Sequence, residues 1–279
     1  MSIAVTGASG QLGRLAIQDM KKRGVTDIVA LVRSPEKVAD LRVEARVFDY
    51  TKPETLAAAL TGIDKLVLIS SNDFEDRAGQ HQNVIDAAVE AGVPHLIYTS
   101  ILKGDGSPMI ISQDHIKTEA AIRASGLNAT ILRNGWYTEN WTGALSAAVE
   151  AGAVIGASGE GKVTPAARAD YAEAIAAVVS TDGHDGKVYE LGGDEAFTMA
   201  DLASELSRQV GKNVPFNNLP KDAYAGILDS LGFPAGFGTV IADADAHAAN
   251  GSLFDDSHTL STLIGRPTTP MAEAVKAAL

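Results

Sequence analysis

The 279-residue sequence predicts an α/β fold built on a doubly wound parallel sheet. Short, continuously apolar and β-branched runs alternate with amphipathic stretches, and strands buried on both faces of a parallel sheet have this composition. Several amphipathic stretches are followed by glycine, which is common just beyond the last turn of a helix. The regular alternation of the two patterns predicts right-handed βαβ units.

The first half of the chain accounts for most of this pattern. The predicted strands are Ile3–Val5, Ile28–Val32, Val43–Phe48, Leu66–Ile69, Leu96–Thr99 and Thr130–Leu132. The predicted helices are Gln11–Arg23, Pro53–Leu60, Gln80–Ala91 and Gln113–Ser125. Gly24, Gly92 and Gly126 end three of these helices.

The second half has a looser pattern. We expect helices over Trp136–Ala151 and Asp170–Val179, a glycine-rich loop over Gly152–Val163, a strand at Val188–Leu191, and a helix from the N-cap Thr198 to about Gln209, ended by Gly211. From Val214 onward we expect short helices. We therefore predict that the main α/β domain spans residues 1–133 and that segments within 165–192 complete its sheet. We predict that a smaller lobe, placed over the carboxyl ends of the strands, is formed by residues 134–164 and 193–279.

Composition excludes several classes of function. The chain carries 35 acidic and 23 basic side chains, a formal net charge of −12. Such a surface repels phosphate backbones and anionic lipids, so we expect no nucleic-acid and no membrane partner. No apolar run reaches membrane-spanning length, and no secretory signal precedes the strand at Ile3. We expect a cytoplasmic protein.

Cysteine is absent, which excludes disulfides, thiol catalysis and iron–sulfur clusters. The spacings of the six histidines match no metal-binding motif, and we expect no metal.

A glycine-rich turn follows the first strand and opens the first helix. It reads Thr6-Gly7-Ala8-Ser9-Gly10-Gln11-Leu12-Gly13. Glycines permit the tight turn, the approach of backbone N–H groups to a pyrophosphate, and close packing of helix on strand. The phosphates then lie at the positive end of the helix dipole. This context predicts a Rossmann-type dinucleotide site.

The end of the second strand predicts which dinucleotide binds. A chain that prefers NAD usually has an acidic residue there for the ribose 2′-hydroxyl. This sequence has Leu31-Val32-Arg33-Ser34, with no carboxylate before Glu36. An arginine at this point can bind a 2′-phosphate through two N–H groups. The pattern favours NADPH.

The tyrosine–lysine pair of typical short-chain dehydrogenases is missing, because none of the six tyrosines is followed by lysine four residues later. On the corresponding helix, His115 and Glu119 occupy the two positions by resemblance. They share a helical face and can hydrogen-bond. His115 is therefore predicted either to donate a proton or hold the nicotinamide ribose, or to be a structural partner of Glu119.

Both tryptophans lie in one segment, Arg133–Trp141, directly after a predicted strand. The carboxyl edge of an open α/β sheet is where ligands bind. Trp136 and Tyr137 are predicted to stack on a planar substrate or on the nicotinamide. The alternative is that these rings pack between the two lobes.

Taken together, these motifs resemble the NmrA-like atypical short-chain dehydrogenase/reductases, and among them the bacterial NADPH-dependent quinone reductases. The resemblance covers essentially the full length. Its most specific parts are Leu132–Asn140 and Arg168-Ala169-Asp170-Tyr171-Ala172, supported by Leu68-Ile69-Ser70-Ser71, Asp114-His115-Ile116, Lys187–Leu191, Leu253-Phe254-Asp255-Asp256 and Leu263–Thr269.

The resemblance implies a set of cofactor-binding residues. Gly7, Ala8, Ser9, Gly10, Gln11 and Leu12 would hold the pyrophosphate and Arg33 the 2′-phosphate. Ser70, Ser71 and Asn72 would border the cofactor. The nicotinamide side would be completed by Asn134, Gly135, Trp136, Tyr137, Thr138, Glu139 and Arg168.

The resemblance also implies direct hydride transfer from NADPH to a quinone or a similar planar electrophile. Two alternatives stay open. One is an NADP(H)-binding redox sensor without turnover, and the other is a reductase of a different acceptor, such as a triphenylmethane dye. The protein is expected to be a monomer or a homodimer.

Overall fold

The structure is a computed structural model that describes residues 1–73, 75–231 and 236–279. Its strands are β1 (Ile3–Thr6), β2 (Ile28–Val32), β3 (Glu44–Val47), β4 (Lys65–Leu68), β5 (His95–Ile101), β6 (Ala129–Asn134), β7 (Val154–Gly156), β8 (Val188–Leu191) and β9 (Phe216–Asn218). Its α-helices are α1 (Gln11–Lys22), α2 (Leu56–Ala59), α3 (Arg77–Glu90), α4 (Ser112–Ser125), α5 (Glu139–Thr142), α6 (Leu145–Ala151), α7 (Arg168–Ser180), α8 (Met199–Val210), α9 (Lys221–Ser230), α10 (Phe237–Ala248), α11 (Thr259–Ile264) and α12 (Met271–Ala278). Short 3₁₀ helices occur at Pro35–Leu41, Pro53–Thr55 and Gly104–Gly106.

The main sheet confirms the predicted fold class. Its strand order is β3-β2-β1-β4-β5-β6-β8, and neighbouring strands from β3 to β6 pair in parallel. The order reverses between β1 and β4, which is the topological switch point of a doubly wound sheet. Every predicted strand overlaps an observed one, and Val188–Leu191 is confirmed residue for residue as β8.

The core lies on both faces of this sheet. All residues of β1, β2 and β5 are buried. Alternate strand residues point to opposite faces, and one face packs against the buried side chains of α2 and α3 in a large apolar cluster. Helix α1 buries a stripe of four apolar side chains and packs against α7: Leu12, Ala16, Ile17 and Met20. This two-sided burial explains why the strands have no polar alternation.

The described chain forms two compact units. The first comprises the described residues of 1–104, 114–134 and 168–189. The second comprises those of 105–113, 135–167 and 190–279. In the second unit β7 and β9 pair in parallel as a separate two-stranded sheet.

Two predicted elements of the second half are wrong in part. The helix predicted from Trp136 begins only at Glu139 and is divided into α5 and α6. Ala166 occupies the backbone groups that would start the helix earlier, because its N–H donates to the Trp136 carbonyl (3.2 Å) and its carbonyl accepts from Thr138 N–H (3.0 Å). The predicted loop Gly152–Val163 contains β7, whose Val154 N–H donates to the carbonyl of Pro215 (2.9 Å).

The start of α8 confirms the predicted cap. Thr198 Oγ1 accepts from Asp201 N–H at 3.1 Å, and the Asp201 carboxylate accepts from Thr198 N–H at 2.8 Å. This reciprocal pair is a capping box. Gly211, in the left-handed region at φ 65°, ends the helix as predicted.

We predict that Thr198→Ala lowers the free energy of unfolding by about 1 kcal/mol, because one backbone N–H loses its acceptor. Urea-induced unfolding of the two proteins measures the difference. Thr198→Ser keeps the hydroxyl and is the control, expected to stay near the wild type. Equal stability of the alanine variant and the wild type would contradict a stabilising cap.

Candidate cofactor-binding site

The glycine-rich turn has the geometry that the sequence predicts. Gly7 lies in the left-handed region, with φ of 58°. A Cβ at Gly13 would lie 2.5 Å from the Gly7 carbonyl oxygen and 2.8 Å from Ala8 Cα, so only glycine lets α1 approach the turn this closely. Ser9, Gly10 and Gln11 are exposed, whereas Ala8 and Leu12 are buried. The turn therefore presents exposed backbone at the N-terminus of a 12-residue helix, a geometry that binds phosphate groups.

The segment after β4 lies beside this turn at the carboxyl edge of the sheet. A Cβ at Gly7 would lie 3.6 Å from the Cβ of Ile69. Ile69 N–H donates to Thr6 Oγ1 (2.9 Å), and Ser70 N–H donates to Thr99 Oγ1 on β5 (3.0 Å). Ser71 and the exposed Asn72 follow. The geometry therefore brings two predicted cofactor-binding segments to the same switch point.

Arg33 is exposed and lies directly after β2. No hydrogen bond of its guanidinium is found among the described residues, and the carboxylate of Asp49 is near enough to interact with its charge. Its N–H groups are therefore available to a ligand at the carboxyl edge of the sheet.

Arg168 is the first residue of α7, and its guanidinium donates to the side-chain carbonyl of Gln11 at the start of α1. This contact joins two residues that are 157 positions apart and that the resemblance places at the cofactor. The structure thus brings Arg168 to the glycine-rich turn.

Asn134, the last residue of β6, fits a dinucleotide site in another way. Its side chain is buried, and neither amide atom has a hydrogen-bond partner in the part of the chain that the structure describes. Buried amides are normally satisfied, and one that is not indicates a ligand or water partner. The unsatisfied amide, the glycine-rich turn and Arg33 form a set of residues that fits an NAD(P)H cofactor.

The neighbouring aromatic residues lie in the second unit. Trp136 and Trp141 are buried, and their ring centroids are 6.5 Å apart. Trp141 also meets the ring of Phe197 at 6.4 Å and donates through Nε1 to Asp245 at 3.3 Å. Thr138 is buried, while Tyr137 and Glu139 are half-buried. Gly135 N–H is bound by the carbonyl of Leu191 at 2.8 Å.

His115 has a different partner from the one predicted. Its Nδ1 lies 2.7 Å from the hydroxyl of Tyr98, and no hydrogen bond joins it to Glu119 among the described residues. The pairing with Glu119 is wrong because Arg133 on β6 takes that carboxylate with two hydrogen bonds, of 2.9 and 2.7 Å. Ser100 Oγ adds a third, at 2.6 Å.

The surroundings of His115 bear on its predicted catalytic role. Burial, and after it the positive charge of Arg77, hold the pKa of His115 well below its usual range. The ring is neutral and has no extra proton to give at neutral pH. Proton donation by His115 stays a prediction, and one that this environment disfavours.

Polar residues on α3 were not recognised from the sequence. Arg77, Gln80 and His81 are buried and bind Ser71, yet the sequence predicts a helix that begins only at Gln80. The sequence offers little signal for them, because the same helix also carries the polar residues Gln82, Asn83 and Asp86.

Comparison with known proteins places the chain in a family. The model of an NAD(P)H-binding family matches residues 7–182, and the chain belongs to this family. It is 50% identical to quinone oxidoreductase 2 of Escherichia coli over 277 residues, 98% of this chain and 97% of that protein.

Solved structures agree with this result. The crystal structure of an E. coli NADPH-dependent quinone oxidoreductase complexed with NADPH has a TM-score of 0.96 and 49% identity, covering 99% of both chains. The Citrobacter triphenylmethane reductase complexed with NADP(H) has a TM-score of 0.93 and 37% identity, covering 100% of both chains. In the described part of this chain, no helix is long and apolar enough to cross a membrane.

We predict that buried His81 makes stability depend on pH. Burial, and then the charge of Arg77, lower the pKa of His81 from about 6.5 to about 3. Between these values the unfolded chain binds a proton that the folded chain does not. Stability is therefore fully present above pH 6.5 and is lost as the pH falls toward 3, by at most about 1.4 kcal/mol per pH unit from this residue.

The measurement is urea-induced unfolding at several values between about pH 7 and pH 5, on the wild type and His81→Gln. The variant should lose less stability over this interval, since glutamine does not titrate. Parallel pH profiles of the two proteins would show that His81 is not held neutral by the fold.

Proposed function

We propose that this protein is an NADPH-dependent reductase that transfers hydride directly to quinones or to similar planar electrophiles. The observation that carries the proposal is the full-length similarity to E. coli quinone oxidoreductase 2, at 50% identity, together with the TM-score of 0.96 to an NADPH complex. Similarity at this level extends over both compact units, so it includes the substrate side as well as the nucleotide side.

The first unit supports the choice of cofactor. In the proposal, residues 7–12 bind the pyrophosphate with backbone N–H groups, and Arg33 binds the 2′-phosphate with two N–H donors. Ser70, Ser71 and Asn72 border the dinucleotide. Asn134 and Arg168 complete the nicotinamide side, a role that the family resemblance also gives to residues 135–139. NADPH, when bound, supplies the hydride.

The polar residues of α4 support a reaction without a protein acid–base pair. Glu119 is held by Arg133 and Ser100, and His115 by Tyr98. Neither is placed to act as the tyrosine–lysine pair does in other reductases. A quinone is already electrophilic, so holding its ring about 3–3.5 Å from the hydride donor suffices. The proton that completes the hydroquinone comes, in this proposal, from water.

We further propose that Trp136 and Tyr137 hold the planar acceptor. Aromatic faces stack on flat rings, and Tyr137 is half-buried and therefore reachable, while Trp136 is fixed by its contact with Trp141.

The partners in this proposal are small molecules, with no nucleic acid or membrane, since the net charge is −12. We propose that the protein acts in the cytoplasm as a monomer or homodimer.

The experiment is to follow NADPH absorbance after adding simple quinones to the purified protein, with NADH run in parallel. Quinone-dependent oxidation with a clear preference for NADPH is the expected result. Tight NADPH binding without oxidation by any quinone would contradict the reductase and favour a redox sensor. Turnover only with triphenylmethane dyes would change the acceptor but not the class of reaction.

We predict that Arg33→Gln lowers kcat/KM for NADPH by about ten- to hundred-fold, because a charged hydrogen-bonded contact with the 2′-phosphate contributes about 1.5–3 kcal/mol. The value for NADH should hardly change. Steady-state kinetics with both cofactors measure the ratio. Arg208→Gln removes another exposed arginine and is the control. An equal loss for both cofactors would show that Arg33 does not read the 2′-phosphate.

A further inference from the structure

One face of α3 binds every polar group of Ser71. Arg77 Nε donates to the Ser71 carbonyl oxygen at 2.6 Å. Ser71 N–H donates to His81 Nε2 at 2.8 Å, and Ser71 Oγ donates to Gln80 Oε1 at 2.8 Å. Residues 77, 80 and 81 have the i, i+3 and i+4 spacing of neighbours on one helical face. We name these three residues the α3 clamp.

The three residues of the clamp are buried, and His81 has a further partner that fixes its ring. Because His81 Nε2 accepts a hydrogen bond, the neutral ring carries its proton on Nδ1, which lies 2.9 Å from Thr118 Oγ1. Thr118 Oγ1 in turn donates to the Asp114 carbonyl at 2.7 Å. The imidazole is thus fixed at both nitrogens, between Ser71 and helix α4.

A second set of contacts extends the clamp along the same segment. Gln80 Nε2 donates to the Asp73 carboxylate at 2.6 Å, and Asp73 N–H donates to Ser71 Oγ at 3.1 Å. Side chains of α3 therefore satisfy the backbone N–H and carbonyl groups of Ser71, which no strand or helix ladder of the described residues pairs.

The clamped segment lies at the switch point. Ser71 follows Ile69, whose N–H is bound by Thr6 of β1 and whose Cβ would be 3.6 Å from a Cβ at Gly7. In a doubly wound sheet the ligand binds in the crevice between the two strands that flank the reversal. By binding Ser71, the α3 clamp therefore fixes the position of one wall of that crevice.

We propose that Arg77, Gln80 and His81 are positioning residues for the dinucleotide, acting by fixing the conformation of the Ser70–Asn72 segment. The inference rests on the cofactor role that the proposed function gives to this segment. A segment that is ordered before binding loses little conformational entropy on binding. Without the clamp, the segment would have to be ordered by the cofactor, and affinity would fall.

The test is the Kd of NADPH, measured by isothermal titration calorimetry on the purified full-length protein, with NADH titrated beside it. His81→Leu removes the acceptor for Ser71 N–H and should raise the Kd of NADPH about tenfold. His81→Gln carries a side-chain oxygen at a similar distance from the backbone, and it should restore binding to within about threefold of the wild type.

His95→Leu is the matched control. His95 is also buried and pairs with a threonine, Thr130, at 2.8 Å, but it lies at the first residue of β5, at the opposite edge of the sheet. Both leucine variants lose a buried polar pair, so both should be less stable in urea. Only His81→Leu should bind NADPH more weakly, measured at a temperature where all variants are folded.

Arg77→Lys provides a second variant if His81→Leu does not fold. It keeps the positive charge but loses the Nε donor to the Ser71 carbonyl, and the Kd of NADPH should again rise about tenfold. In steady-state assays the KM for NADPH should rise while the KM for the quinone stays near the wild-type value.

The outcomes separate the two proposals. If His81→Leu and Arg77→Lys bind NADPH as tightly as the wild type, or if His95→Leu weakens binding equally, the clamp has no positioning role. If the wild type binds NADPH but reduces no quinone, the proposed function fails while the Kd comparison still decides the role of the clamp.

Discussion

A single buried hydroxyl joins the strands at which the sheet reverses its order. Thr6 Oγ1, at the end of β1, accepts from Ile69 N–H just beyond β4 and lies 2.5 Å from the hydroxyl of Tyr50, which follows β3. The Tyr50 hydroxyl also lies 3.0 Å from the Ile69 carbonyl oxygen. The backbone ladder pairs β1 with β4 up to Val5 and Val67, and just beyond it these side-chain hydrogen bonds link the segments at the switch point. The glycine-rich turn and the Ser70–Asn72 segment both depend on this contact for their mutual position.

A second buried polar group of the first unit, the Glu119 carboxylate, is held by several side chains. Glu119 has almost no exposed side-chain surface, and Arg133 forms a two-bond ion pair with it. A buried carboxylate deprived of such a partner would cost several kcal/mol, about 3–5 in typical cases. These pairs occupy the helix positions that carry acid–base chemistry in related dehydrogenases. These contacts hold Glu119 and His115 in place, and a reaction with an already electrophilic acceptor, as proposed above, does not need an acid–base pair on α4.

The sequence predicted the features that depend on neighbouring residues, such as strands and helix caps. It missed the hydrogen bonds whose partners lie far away along the chain. Continuous apolar runs identified the strands of the main sheet, and Thr198 with Gly211 marked both ends of α8, since caps act within a few residues. Residues 136–138 were predicted to be helical, but Ala166, about 30 positions away, forms hydrogen bonds with the backbone of Trp136 and Thr138. His115 and Glu119 have the right spacing to pair, yet Arg133 on a neighbouring strand competes for the carboxylate. Arg77 fell outside the predicted helix, so the spacing of the α3 clamp was not visible.

Charge distribution explains how a chain with net charge −12 can bind a polyanionic cofactor. The net charge acts over the whole surface and disfavours extended phosphate backbones, which need many contacts. A dinucleotide phosphate needs only a few local donors, and these need not change the overall sign. The N-terminus of α1, the exposed guanidinium of Arg33 and the guanidinium of Arg168 beside Gln11 are the donors that the proposed function assigns to this task. A negative net charge is therefore compatible with binding a small anionic ligand, because affinity for such a ligand depends on a few local donors rather than on the total charge.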